Sequence, residues 1–417
     1  MRRLLGLMLV GLACAACGGD SGGESLAGDA PDVGGALAGD VASGGETSGD
    51  VDDGITPPPV RPPTGQLSAV EPGGDTICSR GDAYRFYVYG GDPSRVVIDF
   101  QGGGACWNDW TCSIADAIFS DSPGTLAELE SYREMGMLGG IYDFDDPDNP
   151  FHGWTLVHVP YCTGDIHWGD ATVNYADDLT IHHRGARNVQ AVMAWLQETY
   201  PDAEQLVSTG CSAGAYGAIG HAPALAELYP DARLTVIADA GAGVITDSFL
   251  AESFPNWNAE ASMPMHLDGL AGADIQELRL VDFYVAVASA YPEMRVAQHT
   301  AAYDKDQIFY FTAMGGDEAD WQPKAAESLA EIRGAVDNFR YYLSPGPIHC
   351  IHPYDITYTR EVGGVAYHDW VRDLVSGDAI PDDVICEGDC RDDPICAGCA
   401  DDSLESMACH WCDDWEP

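Results

Sequence analysis

From about residue 66 to 378, short apolar runs alternate with amphipathic stretches. SRVVIDF (94–100) and TLVHVPY (155–161) are rich in β-branched residues and too short for independent helices, so they predict buried strands. RGARNVQAVMAWLQETY (184–200) predicts a helix: Val189, Val192, Met193 and Leu196 fall on one side and Pro201 ends it. EQLVSTG (204–210) returns to strand, AGAYGAIGHAPALAEL (213–228) to helix and RLTVIADA (233–240) to strand, with a further strand-like run at MRVAQHTAAY (294–303). Strands separated by helices imply βαβ crossovers and a mostly parallel sheet covered on both faces, hence an α/β fold. No internal repeat interrupts this alternation.

Outside that region the pattern breaks down. MRR, an apolar run too short to span a bilayer and a small-residue cluster from Ala13 to Gly19 make residues 1–17 an export signal. Cys14 and Cys17 both sit where a lipoprotein signal places its lipidated cysteine, although neither has the usual leucine three residues before it; Cys17 fits better because a polar, low-complexity segment follows at once. Plain secretion is the alternative. Residues 18–65 are Gly, Ala, Ser, Asp and finally Pro-rich, and such a segment cannot bury enough apolar surface to offset its chain entropy, so a disordered linker is expected. As a tether it would reach roughly 40 Å on average. The expected organisation is therefore a signal (1–17), a linker (18–65), an α/β domain (66–378) and a Cys-rich acidic tail (379–417).

Charge narrows the function. The chain carries 67 acidic and 19 basic residues, a formal net charge of −48, and Lys305 and Lys324 are its only lysines. Such a surface repels nucleic acid and anionic membranes, leaving a lipid anchor as the expected route to a membrane.

Candidate chemistry starts at STGCSAGAYGAIG (208–220), where Ser212 is surrounded by small residues between a strand and a helix. That is the setting of a nucleophile elbow, a sharp turn that lifts a hydroxyl above the sheet edge and forbids bulk on either side. It leaves the amide of Ala213 at a helix start, where a negative oxygen is favoured. G-x-S-x-G alone is a weak pattern, and a chemically silent turn fits it as well. FQGGGACWN (100–108) adds a strand running into Gly102, Gly103 and Gly104, whose bare amides suit the second wall of an oxyanion hole. A serine nucleophile also needs an imidazole to accept its proton and a carboxylate to orient that imidazole. Of 12 histidines, His349 in the late loop SPGPIHCIHP leads, with His352 and His368 as competitors. For the acid, Asp304 after the run 294–303 and Asp317 after IFYFTAMGG are nearly equal on pattern, and Asp239 is a third choice.

The blocks QGGGACWN (101–108), YCTGDIHWGD (161–170), HHRGARNVQAVM (182–193), STGCSAGAYG (208–217), AAYDKDQ (301–307) and PIHC (347–350) resemble, in order, those of the pectin acetylesterase/Notum serine carboxylesterases. The resemblance covers about residues 80–370. It implies an α/β-hydrolase-like fold, a Ser-Asp-His triad in that chain order, and neither metal nor cofactor. By position Ser212 matches the nucleophile, Asp304 the acid and His349 the base, while Gly103, Gly104 and Ala213 match the oxyanion donors. The A-Y-D-x-x-Q block decides for Asp304 and makes 305–314 a helix. Ala105, Cys106 and Trp107 depart from the tryptophan of plant members beside the glycine run, which puts the shape of the acyl pocket in question but not the amide donors. His167, Trp168 and Asp170 either line the cleft or form a structural loop.

Beyond Cys14 and Cys17 the chain has twelve cysteines, an even number that agrees with an oxidising compartment. Cys106 with Cys112 is spaced to close a short loop. In the tail, Cys386, Cys390, Cys396, Cys399, Cys409 and Cys412 lie in 27 residues, with His410 inside a C-x-x-C pair; a small disulfide knob is favoured over a zinc site. The expected function is an extracytoplasmic serine esterase that removes O-acyl groups, acetyl foremost, from polysaccharide or small esters. A lipase or depolymerase with a longer pocket and an inactive carbohydrate-binding lipoprotein are the alternatives.

Overall fold

Apolar, β-branched runs build the centre of the molecule. In the computed structural model, which describes residues 60–114, 118–400, 404 and 406–416, they form a 9-stranded sheet. The strands in chain order are β1 (Leu67–Val70), β2 (Phe86–Tyr89), β3 (Asp92–Phe100), β4 (Trp154–Val159), β5 (Ala171–Ala176), β6 (Leu179–His183), β7 (Gln205–Cys211), β8 (Arg233–Asp239), β9 (Arg295–Ala301), β10 (Phe339–Ser344), β11 (Glu361–Val362), β12 (Val365–Ala366) and β13 (Val384–Ile385). The sheet runs β1-β2-β4-β3-β7-β8-β9-β10-β13, while β5–β6 and β11–β12 are separate hairpins. From β4 to β13 every neighbouring pair is parallel; β2 is antiparallel to both β1 and β4, so it alone runs against the rest. The result is an α/β-hydrolase-like, mostly parallel sheet flanked by helices.

Parallel strands need crossovers, and these are helical. The helix Gly185–Thr199 buries Val189, Val192, Met193 and Leu196, the face expected from its periodicity. The helix Ala213–Leu228 is buried along most of its length, so it needs small residues: a Cβ on Gly220 would lie 2.1 Å from the Trp168 indole nitrogen. Because β3, β7, β8, β9 and β10 all point the same way, the loops that follow them open at one edge of the sheet, the usual place for a ligand in such a fold. Those loops carry Gly102–Gly104, Ser212, Ala240, Asp304 and His349.

Segments flanking the α/β domain pack against it at both ends. The signal and the linker up to residue 59 lie outside the described residues, and the linker's last residues are docked: Arg61 donates to the Thr199 carbonyl (2.7 Å) and covers the Tyr200 ring. The tail is cross-linked by disulfides, as expected, and is packed onto the domain. Its β13 extends the central sheet beside β10, and its cysteines are paired as Cys386–Cys390, Cys396–Cys412 and Cys399–Cys409. A fully buried ion pair fastens it, with Arg360 Nη1 2.7 Å from Asp393 Oδ1. Short β10 and the two-residue β13 carry no periodic signal long enough to announce themselves, and β1 and β2 are only four residues each.

Removing one partner of a buried ion pair strands the other charge. Asp393→Ala is therefore expected to cost about 3–5 kcal/mol of stability. Thermal unfolding of the purified variant checks this, and an unchanged melting temperature would contradict the burial of the pair.

Candidate active site

Strand β7 delivers Ser212 into a turn that few residues tolerate. Its φ of 57° and ψ of −120° lie in a sparsely populated region that costs about 1–3 kcal/mol to hold. The surroundings impose it: the Ser212 amide donates to the Asp239 carbonyl (2.8 Å), and the helix Ala213–Leu228 begins at the next residue. Here the small neighbours find their reason. A Cβ on Gly214 would sit 1.8 Å from the Phe100 carbonyl oxygen, and one on Gly210 would be 2.5 Å from that same oxygen. Any side chain at either position would push β3 and β7 apart.

The glycine run after β3 forms the opposite wall. Gly103 and Gly104 have φ of 150° and 73°, and Gly104 packs so closely that a Cβ would fall 2.0 Å from the Ile118 carbonyl oxygen. Among the described residues, no backbone hydrogen bond uses the amides of Gly103, Gly104 or Ala213. Gly104, Ala213 and Ser212 line one cleft.

His349 enters this cleft from the loop after β10. Its Nδ1 lies 2.8 and 2.9 Å from the two Asp304 oxygens, and the ring is 6% exposed. Asp304 caps the helix Lys305–Ala313 as its side chain accepts from the Gln307 amide (2.9 Å), so the stretch after it is helical as expected. Gln307 does more than close the block: its Nε2 donates to Asp304 Oδ2 (2.9 Å) and Thr300 Oγ1 (2.8 Å), and its Oε1 accepts from the Ala242 amide (2.9 Å). The carboxylate is thereby fixed in rotation. A disulfide, Cys211–Cys350, joins the residue before Ser212 to the residue after His349 across 139 positions of sequence. Burial disfavours a charged His349, but the Asp304 and Asp306 carboxylates outweigh it and raise the imidazole to about 9.

The competing residues have other partners. Asp317 caps the helix Glu318–Ala335. Asp239 is fully buried, bonded to His299 Nδ1 (2.6 Å) and to the amides of Ile351 and His352 (2.8 and 2.9 Å). Burial alone would raise Asp239, yet His352, His299 and the His352 amide hold it well below the usual carboxylate range. It anchors the loop of His349 from beneath. His352 lies between Thr209 Oγ1 (3.0 Å) and the Tyr367 hydroxyl (2.6 Å), and His368 lies 3.6 Å from Asp369. In the 165–170 segment the structural alternative prevails. His167 Nε2 meets the Gln101 carbonyl, Trp168 donates to the Tyr216 carbonyl, and Asp170 binds Arg184 and Arg187, while Ile166 is the residue that lines the cleft. Sequence reading missed Asp306, Gln307 and Trp411; only Gln307 had a signal, its i+3 spacing from a capping aspartate.

The cleft has an open volume of about 590 Å³, mouth included, and Val244, Ile245, Phe249, Leu280 and Met314 make much of its lining apolar. The groups of potential metal ligands found among the described residues, Cys106-Cys112-His183 and Cys211-His349-Cys350, consist of disulfide sulfurs and one histidine each, and a disulfide sulfur is not a thiolate ligand. The tail cysteines are likewise bonded to one another.

Residues 74–255 match the pectinacetylesterase family. Pectin acetylesterases 7 and 11 of Arabidopsis thaliana are 30% and 31% identical over 178 and 181 residues, covering 42% of this chain and 44% of each relative. The palmitoleoyl-protein carboxylesterase NOTUM of Schmidtea mediterranea is 28% identical over 128 residues, 30% of this chain and 23% of that protein. The chain thus aligns with less than half the length of the curated relatives it matches. The crystal structure of the Wnt deacylase Notum from Drosophila shares the fold, with a TM-score of 0.55 over 75% of this chain and 93% of that one at 14% identity. The family match includes Ser212 and the glycine run and stops short of Asp304 and His349.

Titrating the histidine ring of His349 by NMR in isotope-labelled protein should give a midpoint near 9. In Asp304→Asn the largest attraction for the proton is gone and burial gains weight, so the midpoint should fall by about 1–3 units. A midpoint that ignores the substitution would contradict the pairing.

Proposed function

The chain belongs to the pectin acetylesterase/Notum family, and on that premise we propose that it is a serine carboxylesterase that removes O-acyl groups, chiefly acetyl, from polysaccharide. The observation that carries this is the meeting, in one cleft, of a serine in an elbow conformation with a carboxylate-bound imidazole from a loop 137 positions later (349 − 212). No simpler role accounts for holding Ser212 in a costly backbone conformation.

In the proposed reaction Ser212 Oγ attacks the ester carbonyl and its proton passes to His349 Nε2. Asp304 keeps the Nδ1 proton in place and balances the imidazolium. The carbonyl oxygen gains charge and is met by the amides of Gly103, Gly104 and Ala213, where each donor is worth about 10²–10³ in rate. His349 then protonates the departing alcohol, and the same steps with water release the acid. Groups from four separate loops would share one cleft held by the fold, so little ordering would remain for the transition state.

A second substrate, a longer acyl chain, is favoured by one feature: the apolar side chains of Val244, Ile245, Phe249, Leu280 and Met314 line the same cleft as Ser212. Six disulfides among the described residues support work in an oxidising, extracytoplasmic compartment. Lipid attachment at Cys17 or Cys14 completes the proposal as a cell-envelope anchor.

Ser212→Ala should lower the hydrolysis of nitrophenyl acetate by at least about 10³-fold and abolish labelling by a fluorophosphonate probe. Parental activity in that variant would refute the serine mechanism. Rates on acetyl and octanoyl esters separate the two substrates: an acetyl preference supports polysaccharide deacetylation, and an octanoyl preference assigns the apolar wall to a longer chain.

A further inference from the structure

The Cys-rich C-terminal segment has no part in the chemistry so far, yet it converges on the two loops that carry Asp304 and His349. On the base loop, Gly346 donates to the Cys390 carbonyl (2.9 Å), and its bare Cα lets the Asp393 side chain in where a Cβ would be only 2.4 Å away. On the acid loop, Lys305 Nζ donates to the Asp413 carbonyl (2.5 Å), the Trp415 ring lies 5.5 Å from Tyr303, and the Arg391 guanidinium covers Tyr303 from the other element at 4.6 Å. Three disulfides fix the geometry of the segment that makes these contacts.

Trp411 reaches furthest. Its indole stands edge-on to His349, with centroids 6.2 Å apart, and to Tyr354 at 5.2 Å, and it is almost completely buried. Its N–H points to Asp306 Oδ2 at 3.4 Å. That same oxygen is 4.0 Å from His349 Nε2, the ring nitrogen not engaged by Asp304. A carboxylate enclosed beside an imidazole is screened far less than one in water, so it acts strongly on the ring's charge.

We infer that the cross-linked C-terminal segment is a working part of the hydrolytic site: Trp411 holds Asp306 against His349, and Asp306 is a second positioning carboxylate that stabilises the imidazolium. This rests on His349 being the general base, as proposed above. The charged or titratable groups facing His349 are Asp304 and Asp306 at the start of the helix Lys305–Ala313, Asp239 at the end of β8 and His410 from the tail; Lys305 turns its ammonium away toward the tail backbone. Burial, with the Asp304 charge, holds the Asp306 carboxyl above its ordinary value, and His349 and the Trp411 donor offset that rise in part. With Asp306 ionised the ring keeps its proton to higher pH, and the free base needed for attack appears later in an alkaline titration. Removing that charge must move the acid limb of kcat/KM downward.

The experiment is the pH profile of kcat/KM on nitrophenyl acetate for the parent, Asp306→Asn and Trp411→Phe, with Ser212→Ala alongside. In Asp306→Asn the acid limb should move down by about 1 unit while KM stays close to the parent's and the plateau kcat falls. Trp411→Phe keeps the ring and loses the donor, so Asp306 holds its proton to higher pH and the limb should shift the same way by less. Limbs that coincide with the parent's, or that move upward, overturn the inference, since a tail that only stabilises the fold would change the melting temperature and leave the limb in place. If Asp306→Asn does not fold, Trp411→Phe and the NMR midpoint of His349 decide in its stead. Activity surviving in Ser212→Ala would remove the esterase mechanism and this inference together; an inactive Ser212→Ala with unmoved limbs removes the inference alone.

Discussion

Everything at the sheet edge depends on two segments that must not drift apart: the turn of Ser212 and the loop of His349. The parallel register brings them near, because β7, β8, β9 and β10 end at one level and Asp239 stands beside both Cys211 and His299. Two further ties make the distance permanent. Cys211–Cys350 is covalent, with its Cα atoms 5.7 Å apart, and Asp239 accepts from the amides of Ile351 and His352 just beyond. A hydroxyl and an imidazole fixed in this way have little chain entropy left to lose when a ligand binds.

Electrostatics follow the same plan. In a chain of net charge −48, buried carboxylates would be a liability unless each had a defined partner. Asp239 has His299 and two amides, Asp304 has His349 and Gln307, Asp393 has Arg360, and Asp165 accepts from Thr163 and the Gly185 amide. Asp165 is the exception in degree: burial lifts it to about 6 despite those donors. Most of these carboxylates pin a loop at or near the C-terminal ends of the strands, so buried acids with defined partners organise the interior of the site.

The parts of the molecule legible in sequence were those with a local cause. Periodicity placed the helices Gly185–Thr199 and Ala213–Leu228 and the strands beside them to within a residue or two, since burying one face or both faces leaves a repeating mark. Ser212 and the glycine run were legible because close backbone approach excludes side chains. Asp304 and Asp317 were nearly equal on pattern, because what separates them, an imidazole within 2.8 Å of one and a bare helix start beside the other, is a tertiary fact. For the same reason Trp411 was invisible, a lone aromatic between two cysteines over a hundred positions from Asp304, and β13 was hidden in a tail whose composition spoke only of disulfides.

The account is tested most directly by a crystal structure of the protein after reaction with a fluorophosphonate. It predicts phosphorus bonded to Ser212 Oγ, the phosphonyl oxygen within hydrogen-bonding distance of the amides of Gly103, Gly104 and Ala213, and His349 Nε2 turned to the serine oxygen. A probe attached elsewhere, or one on Ser212 with its oxygen pointing away from those amides, would contradict it.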